Sequence, residues 1–466
     1  MKKFYLLLFI ASLSLPTVAQ ESFELGKPNN DNYRYLDDLK ALKEYIDQDK
    51  YPNFKLGIGT TVNDYLNKPN VRNLTNKNFT ETVAGNAMKM GSVVDGNGNM
   101  NFTTVKNYVT TATDAGLNVY GHVLAWHSQQ PINWLKSLLT GKTNEEERKE
   151  AMIGAMEKWI KGMMEACDGK VKAWDMVNEA IAGEGNDGEG NYALQHSNGY
   201  KGGTWDVGGT DFFWQDFLGD IDYVREVHRL ARKYGPEDVK LFINDYNLES
   251  DWDDNKKIKS LINWIKKWEA DGVTKIDGIG TQMHISYYEN SDTQNSKKEA
   301  ITKMFKLMAA TGKLVRVSEM DMGYYSSNGT KLSTSNLTET QHKNMADFYE
   351  WIIKEYLRIV PAAQQWGICQ WCPTDAPDTQ YMWRRNEPVG IWDINYYRKH
   401  VYAGFVRGLG GNVDDTGIEG TKTGIDKPFD PSKGIYTING TRMQTTNLNE
   451  LPRGIYIINN KKLVVK

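Results

Sequence analysis

The chain has 466 residues, 40% hydrophobic and 25% charged, which is ample for one large domain or two smaller ones. Its formal net charge of −3, from 56 basic and 59 acidic side chains, points to neither nucleic acid nor an anionic membrane surface as a partner. The 14 Trp and 25 Tyr offer flat faces that stack on sugar rings, but large barrels also bury many aromatics, so composition leaves both readings open.

Lys2 and Lys3 open a positive n-region, Phe4–Leu15 is an apolar stretch, and Thr17-Val18-Ala19-Gln20 closes it with small or polar residues. Residues 1–20 are therefore expected to be an export signal, which places the protein in the secreted or cell-surface class. No cysteine follows the apolar stretch, which argues against a lipid anchor there. No other stretch approaches the ~20 apolar residues of a membrane span.

From about Leu56 to Gly408 short apolar runs alternate with amphipathic helical stretches. The runs are Lys55–Gly59, Glu81–Ala84, Leu117–Leu124, Val171–Val177, Lys240–Asn244, Ile276–Met283, Leu314–Ser318 and Gln365–Gln370. Helical periodicity covers Phe102–Ala115, Asn144–Cys167, Ile221–Tyr234, Asn255–Ala270, Lys297–Thr311 and Glu339–Val360. Near-continuous apolar runs suit parallel strands buried on both faces. Repeated strand-then-helix units predict an α/β fold, a (β/α)8 TIM barrel over residues 21–409. A doubly wound sheet is the alternative, but no glycine-rich phosphate loop follows any strand.

Gly183–Thr210 is rich in Gly, Asn and Asp and reads as a long loop after the fourth strand, with disorder as the alternative. Residues 410–430 are polar and Gly-rich, a linker. In residues 431–466 Gly434-Ile-Tyr-Thr-Ile-Asn439-Gly440 recurs as Gly454-Ile-Tyr-Ile-Ile-Asn459-Asn460, each an alternating strand with a hairpin turn signal. This small C-terminal β appendage resembles the sorting segment of some secreted Bacteroidota proteins, which implies secretion machinery as a partner. The alternative is an appendage with no address function.

The three cysteines, Cys167, Cys369 and Cys372, are too few for a disulfide scaffold. Cys369-Gln-Trp-Cys372 has C-x-x-C spacing, but its flanks are not thioredoxin-like and no second pair completes a zinc site. A local disulfide or two packed thiols remain.

Four run ends concentrate polar groups: Gly121-His122-Val-Leu-Ala-Trp126-His127, Trp174-Asp175-Met-Val-Asn178-Glu179, Gly280-Thr-Gln282-Met-His284 and Ser318-Glu319-Met320-Asp321. A polar residue just past a barrel strand stands at the carboxyl end, where barrel active sites lie. One histidine beside apolar residues is usually a satisfied core residue, yet three converge here. Their spacing gives no helical metal pair and no H-E-x-x-H, so no metal or other cofactor is expected. Two carboxylates at run ends suit glycoside hydrolysis, which needs a proton for the leaving oxygen and negative charge beside an oxocarbenium-like centre. Most acidic residues are surface-solvated, but a charge closing an apolar strand is costly without a purpose. Asn178, next to Glu179, is suited to donate to the sugar 2-hydroxyl.

Together these segments resemble family 10 of the glycoside hydrolases, mainly endo-β-1,4-xylanases on (β/α)8 barrels, from about Leu56 to Gly408. The resemblance implies that Glu179 is the acid/base and Glu319 the nucleophile of a retaining enzyme on xylan. Asn178 would contact the 2-hydroxyl, and His122 and Trp126 the cleaved sugar, with His127 in support. Gln282 and His284 would stand beside the nucleophile, the imidazole bonded to Glu319, and Asp321 would act behind them. Tyr246 lies in the matching segment Asn244-Asp245-Tyr246-Asn247. Asn86 and Lys89 match contacts on the non-reducing side. Trp366 matches the first lid aromatic after the eighth strand, and Trp383 supplies the second. Gly85 stands where the family usually has Glu, and Met90 where it has Trp. The loop Gln370-Trp371-Cys372-Pro373-Thr374-Asp375-Ala-Pro-Asp378 replaces the family's Asp-x-x-Ser-Trp pattern. These departures imply a decorated xylan or related β-1,4-glucan as an alternative substrate. A non-catalytic surface glycan-binding protein is a further alternative, but it predicts missing catalytic groups and none is missing.

Overall fold

The computed structural model describes residues 25–197, 211–380, 382–413, 434–437, 440–445, 451–452, 454–458 and 461–465. The expected export signal lies outside them, as does most of the expected linker. Nine strands form one sheet: β1 (Lys55–Thr60), β2 (Glu81–Ala84), β3 (Asn118–Ala125), β4 (Ala173–Asn178), β5 (Lys240–Asp245), β6 (Gly278–Thr281), β7 (His284–Tyr288), β8 (Leu314–Tyr325) and β9 (Gln365–Gln370). All pairs are parallel. β1 pairs with both β2 and β9, and β6 pairs with β8, so β1–β6, β8 and β9 close into a barrel. The predicted (β/α)8 TIM barrel is the fold.

The sixth predicted strand, Ile276–Met283, is observed as the shorter β6, and a further strand follows it. Met283 is fully buried at φ +53°, in the left-handed region, and turns the chain between the two. The chain restarts as β7, which pairs with the second half of β8 from His284↔Asp321 to Tyr288↔Tyr325. A buried apolar run cannot reveal such a break, because hydrophobicity does not record φ.

Helix starts follow their caps. Asn144 accepts from the Glu147 N–H and precedes three glutamates in the first turn of Glu145–Cys167, which complements the helix dipole. Thr338 and Gln341 form a reciprocal capping box on Glu339–Ile359. Helix Ser291–Ala310 begins earlier than its periodicity predicts, because its first turns are polar and Asn290 caps them.

At the amino end of the barrel Arg316 is buried against Glu81 at 3.0 Å, its guanidinium 3.7 Å from the Tyr120 ring. In the loop after β4, Ile181 bridges Leu194, and Asp187 accepts from the Glu189 and Asn191 N–H groups and from Lys267 Nζ. This part of Gly183–Thr210 is ordered, and residues 198–210 lie outside the described ones. Cys369 and Cys372 are unbridged. Burial pushes the Cys369 thiol up to about 12. C-terminal strands β10 (Ile435–Thr437), β11 (Gly454–Ile458) and β12 (Lys461–Val465) form an antiparallel sheet in which the two copies of the repeat pair with each other.

Candidate active site

Glu179 follows β4 with φ +57°, a conformation that costs a non-glycine residue about 1 kcal/mol or more. Two bonds hold that turn. The Glu179 N–H donates to Asn244 O at 2.8 Å, and Gln195 Nε2 donates to Glu179 O at 2.7 Å, tying the loop after β4 to the site. On the carboxylate, Trp126 Nε1 donates to Oε2 at 3.0 Å, while Gln282 Nε2 and Asn178 Nδ2 donate to Oε1 at 2.9 and 3.2 Å. His127 Nε2 stands 3.9 Å from Oε2, its ring stacked on Phe213.

Glu319 lies within β8. Asn244 Nδ2 donates to its Oε1 at 3.0 Å and to Asn178 Oδ1 at 2.9 Å, so one buried carboxamide spans the environments of both glutamates. Ser318 Oγ fixes that amide by donating to Asn244 Oδ1 at 2.7 Å. His284 Nε2 is 3.4 Å from Glu319 Oε2, and its Nδ1 is 3.0 Å from Asp321 Oδ1. Burial disfavours the charged imidazole, but Asp321 and Glu319 outweigh it and raise the His284 pKa to about 10. Burial likewise works against charge on Glu319. The His284 bond and the positive fields of His122, His284 and Lys89 prevail and hold its pKa below the ordinary carboxylate value. A buried carboxylate kept ionised in this way is suited to attack a carbon centre.

Around this pair, His122 Nδ1 meets Asp175 Oδ2 at 2.8 Å, and Tyr120 OH donates to Asp175 Oδ1 at 2.8 Å. Tyr246 follows β5, its ring 3.3 Å from Lys257 Nζ, which pairs with buried Asp245 at 2.8 Å. On the β2–β3 side Lys89 Nζ donates to Gln129 Oε1 at 2.8 Å and to Asn86 Oδ1 at 3.1 Å, and stands 4.7 Å from the Trp126 ring. Beside them a Cβ on Gly85 would meet only Thr60 O at 3.4 Å, so space does not exclude a side chain there. Met90 turns into the core rather than the groove.

The expectation for Trp366 requires correction. Trp366 sits near the start of β9, where its Nε1 donates to Glu81 Oε2 at 3.0 Å and its ring packs on Tyr120 and Phe242, at the amino end of the barrel. The aromatic at the carboxyl end is Trp371, 5.8 Å from the His122 ring and 6.4 Å from the His284 ring. Trp371 stands just past the apolar run Gln365–Gln370, as the glutamates stand past theirs, whereas Trp366 lies inside it. Trp383 does reach the site: its ring is 4.7 Å from His284 and its Nε1 donates to Asp321 Oδ2 at 2.8 Å. Arg384 escaped the sequence reading. Its Nη1 pairs with Asp321 Oδ1 at 2.7 Å and donates to Ile285 O, and its Nη2 pairs with Glu387. Asp175 and Asn244 stood in segments singled out by the sequence but carried no assigned role there, and Gln129 was missed, because their partners are remote along the chain.

Residues 42–407 match the family model for Glycosyl hydrolase family 10. The chain belongs to this family. It is 30% identical over 379 residues to an endo-1,4-beta-xylanase A of Thermotoga maritima, covering 79% of this chain and 31% of that protein. It is 28% identical over 424 residues to a thermostable celloxylanase of Thermoclostridium stercorarium, covering 87% and 97%. The chain thus spans less than a third of the first relative and nearly all of the second. The crystal structure of xylanase B from Clostridium stercorarium F9 shares the fold with a TM-score of 0.64 at 24% identity, covering 79% of this chain and 99% of that one. As a family 10 barrel, the chain carries its polar cluster at the carboxyl ends of β3, β4 and β5, midway along β8, and where the chain passes from β6 into β7. No helix of the described residues is long and apolar enough to cross a membrane.

Proposed function

We propose that this family 10 chain is a retaining endo-β-1,4-xylanase. The observation that carries the reading is the shared Asn244 amide, which joins a carboxylate held ionised, Glu319, to the group beside Glu179. Glu179 gives its proton to the leaving oxygen while Glu319 attacks the anomeric carbon and forms a glycosyl ester. Glu179 then takes a proton from water, whose oxygen attacks the same carbon and releases Glu319. Asn178 and Gln282, already on Glu179, stand ready to bond the sugar hydroxyls. The names of the two curated relatives support xylan as substrate.

Glu319→Ala tests the assignment. Hydrolysis of xylan should fall by about three orders of magnitude or more, and near wild-type hydrolysis would sink it. The open space at Gly85 and the celloxylanase relative favour a second assay on mixed-linkage glucan. The patterns of residues 1–20 and 431–466 support export and C-terminal sorting. Deleting residues 431–466 should then shift the protein between cell-surface and soluble fractions.

A further inference from the structure

Helix Lys256–Trp268 begins after two consecutive residues in the left-handed region, Asp254 at φ +56° and Asn255 at φ +58°. Its first turn opens with two lysines, where the helix dipole disfavours positive charge. Lys256 is half-buried, its ammonium 4.5 Å from the Tyr192 ring. Lys257 points into the protein and is only 3% exposed. Its ammonium pairs with Asp245 Oδ1 at 2.8 Å and stands 3.3 Å from the Tyr246 ring. Asp245 is fully buried, so both charges of the pair are withdrawn from water.

A buried ion pair seldom adds stability. Desolvation of the two charges offsets their attraction, and apolar residues of similar volume serve the fold as well or better. What this pair adds is a set of fixed backbone bonds. Asp245 Oδ2 accepts the Ile181 N–H at 3.0 Å, and Oδ1 accepts the Tyr246 N–H at 2.9 Å. The Asp245 carbonyl accepts the Gln282 N–H at 3.0 Å. Ile181 stands two residues past Glu179, whose own N–H is held by Asn244 O at 2.8 Å. The left-handed turn at Glu179 is thus pinned on both sides by neighbouring residues of β5. Burial pushes the Asp245 carboxyl up, while the Lys257 ammonium and the Ile181 N–H oppose that shift. A protonated carboxyl would turn one of these two acceptor oxygens into a donor.

We propose that Lys257 is a positioning residue for the acid/base step. By keeping the Asp245 carboxylate paired and in place, it holds the turn after β4 rigid and Glu179 aimed at the glycosidic oxygen. The inference rests on the xylanase reading above and adds to it a buried residue, on a separate helix, that acts only through Asp245.

The test compares the full wild-type chain with Lys257→Met and with Lys257→Met combined with Asp245→Asn. Two substrates are used: xylohexaose, and dinitrophenyl β-xylobioside, whose leaving group departs without a proton. Lys257→Met should lose about tenfold or more in kcat/KM on xylohexaose and stay within about threefold on the dinitrophenyl glycoside. On that glycoside its kcat and KM should fall together, because Glu179 is also the base that resolves the glycosyl-enzyme. Partial unfolding would instead lower kcat at constant KM. The double variant buries no lone charge, so its Tm should be no lower than that of wild type. It should still show the selective loss, since an amide offers one acceptor oxygen to two N–H groups. Equal losses on the two substrates, an unchanged KM on the glycoside, or wild-type kinetics in the double variant would each overturn the proposal. A wild type that leaves xylohexaose uncut would overturn the xylanase reading, and the role of Lys257 with it. Wild-type cleavage of xylohexaose with no loss in Lys257→Met would overturn the role of Lys257 alone.

Discussion

Trp383 and Asp321 are joined by an indole-to-carboxylate hydrogen bond of 2.8 Å, which fastens the loop after β9 to the strand that carries Glu319. Arg384 occupies the other oxygen of the same carboxylate. Asp321 in turn faces His284, and His284 faces Glu319. The loop after β9 and the ionised glutamate are therefore linked through Asp321 and His284.

Trp383→Phe keeps the ring and removes the donor. A bond to a charged group contributes about 1.5–3 kcal/mol, so kcat/KM on xylo-oligosaccharides should fall at least roughly tenfold. Arg384→Met should do more, because it leaves Asp321 and Glu387 buried with one cation fewer. A loss of about 3 kcal/mol in unfolding free energy is expected. Denaturant titration beside steady-state kinetics separates the two effects, and an unchanged midpoint in Arg384→Met would contradict the pairing.

Trp366 and Trp371 should respond in opposite ways. Trp371→Ala should lower kcat/KM by tenfold or more with little change in Tm. Trp366→Ala empties space between Tyr120, Phe242 and Glu81 at the far end of the barrel. It should cost about 2 kcal/mol or more in stability and leave kcat/KM near wild type. The reverse pattern would restore Trp366 as a groove residue.

Asn244→Ala removes the amide shared by Glu319 and Asn178. Loss of one preorganised donor at a charged centre lowers kcat by roughly 10²–10³. A change confined to KM would show that the amide serves ground-state binding alone.

The pH dependence follows from His284, Glu319 and Asp321. The folded pKa of His284 is raised from 6.5 to about 10, so its contribution is complete below 6.5 and is lost as pH rises through about 10. Glu319 and Asp321 are shifted down, so theirs is present above the ordinary carboxylate range and is lost as pH falls. His284→Gln should therefore flatten the alkaline loss of Tm. It should also move the acid limb of the activity profile to higher pH, because Glu319 loses its imidazolium. Limbs that stay in place would rule out this coupling.

The closed barrel was legible in the sequence because each strand is buried on both faces and writes itself as an apolar run. The same rule put Glu179 and Glu319 at one end of the barrel, since a charge that closes such a run must stand at its carboxyl end. Long-range partners were not legible. Asn244 lies 66 residues from Asn178 and 75 from Glu319, and closure of the sheet alone brings them together. Arg384 reaches Asp321 across 63 residues through a loop without periodicity. The break at Met283 was hidden as well, because an apolar pattern records burial and not φ. Sequence by itself determined the fold and the placement of the two glutamates, because burial and the ends of apolar runs are local properties. Only the tertiary structure decided which indole faces the groove and how Glu319 is kept ionised, because both depend on distances between segments that are remote along the chain.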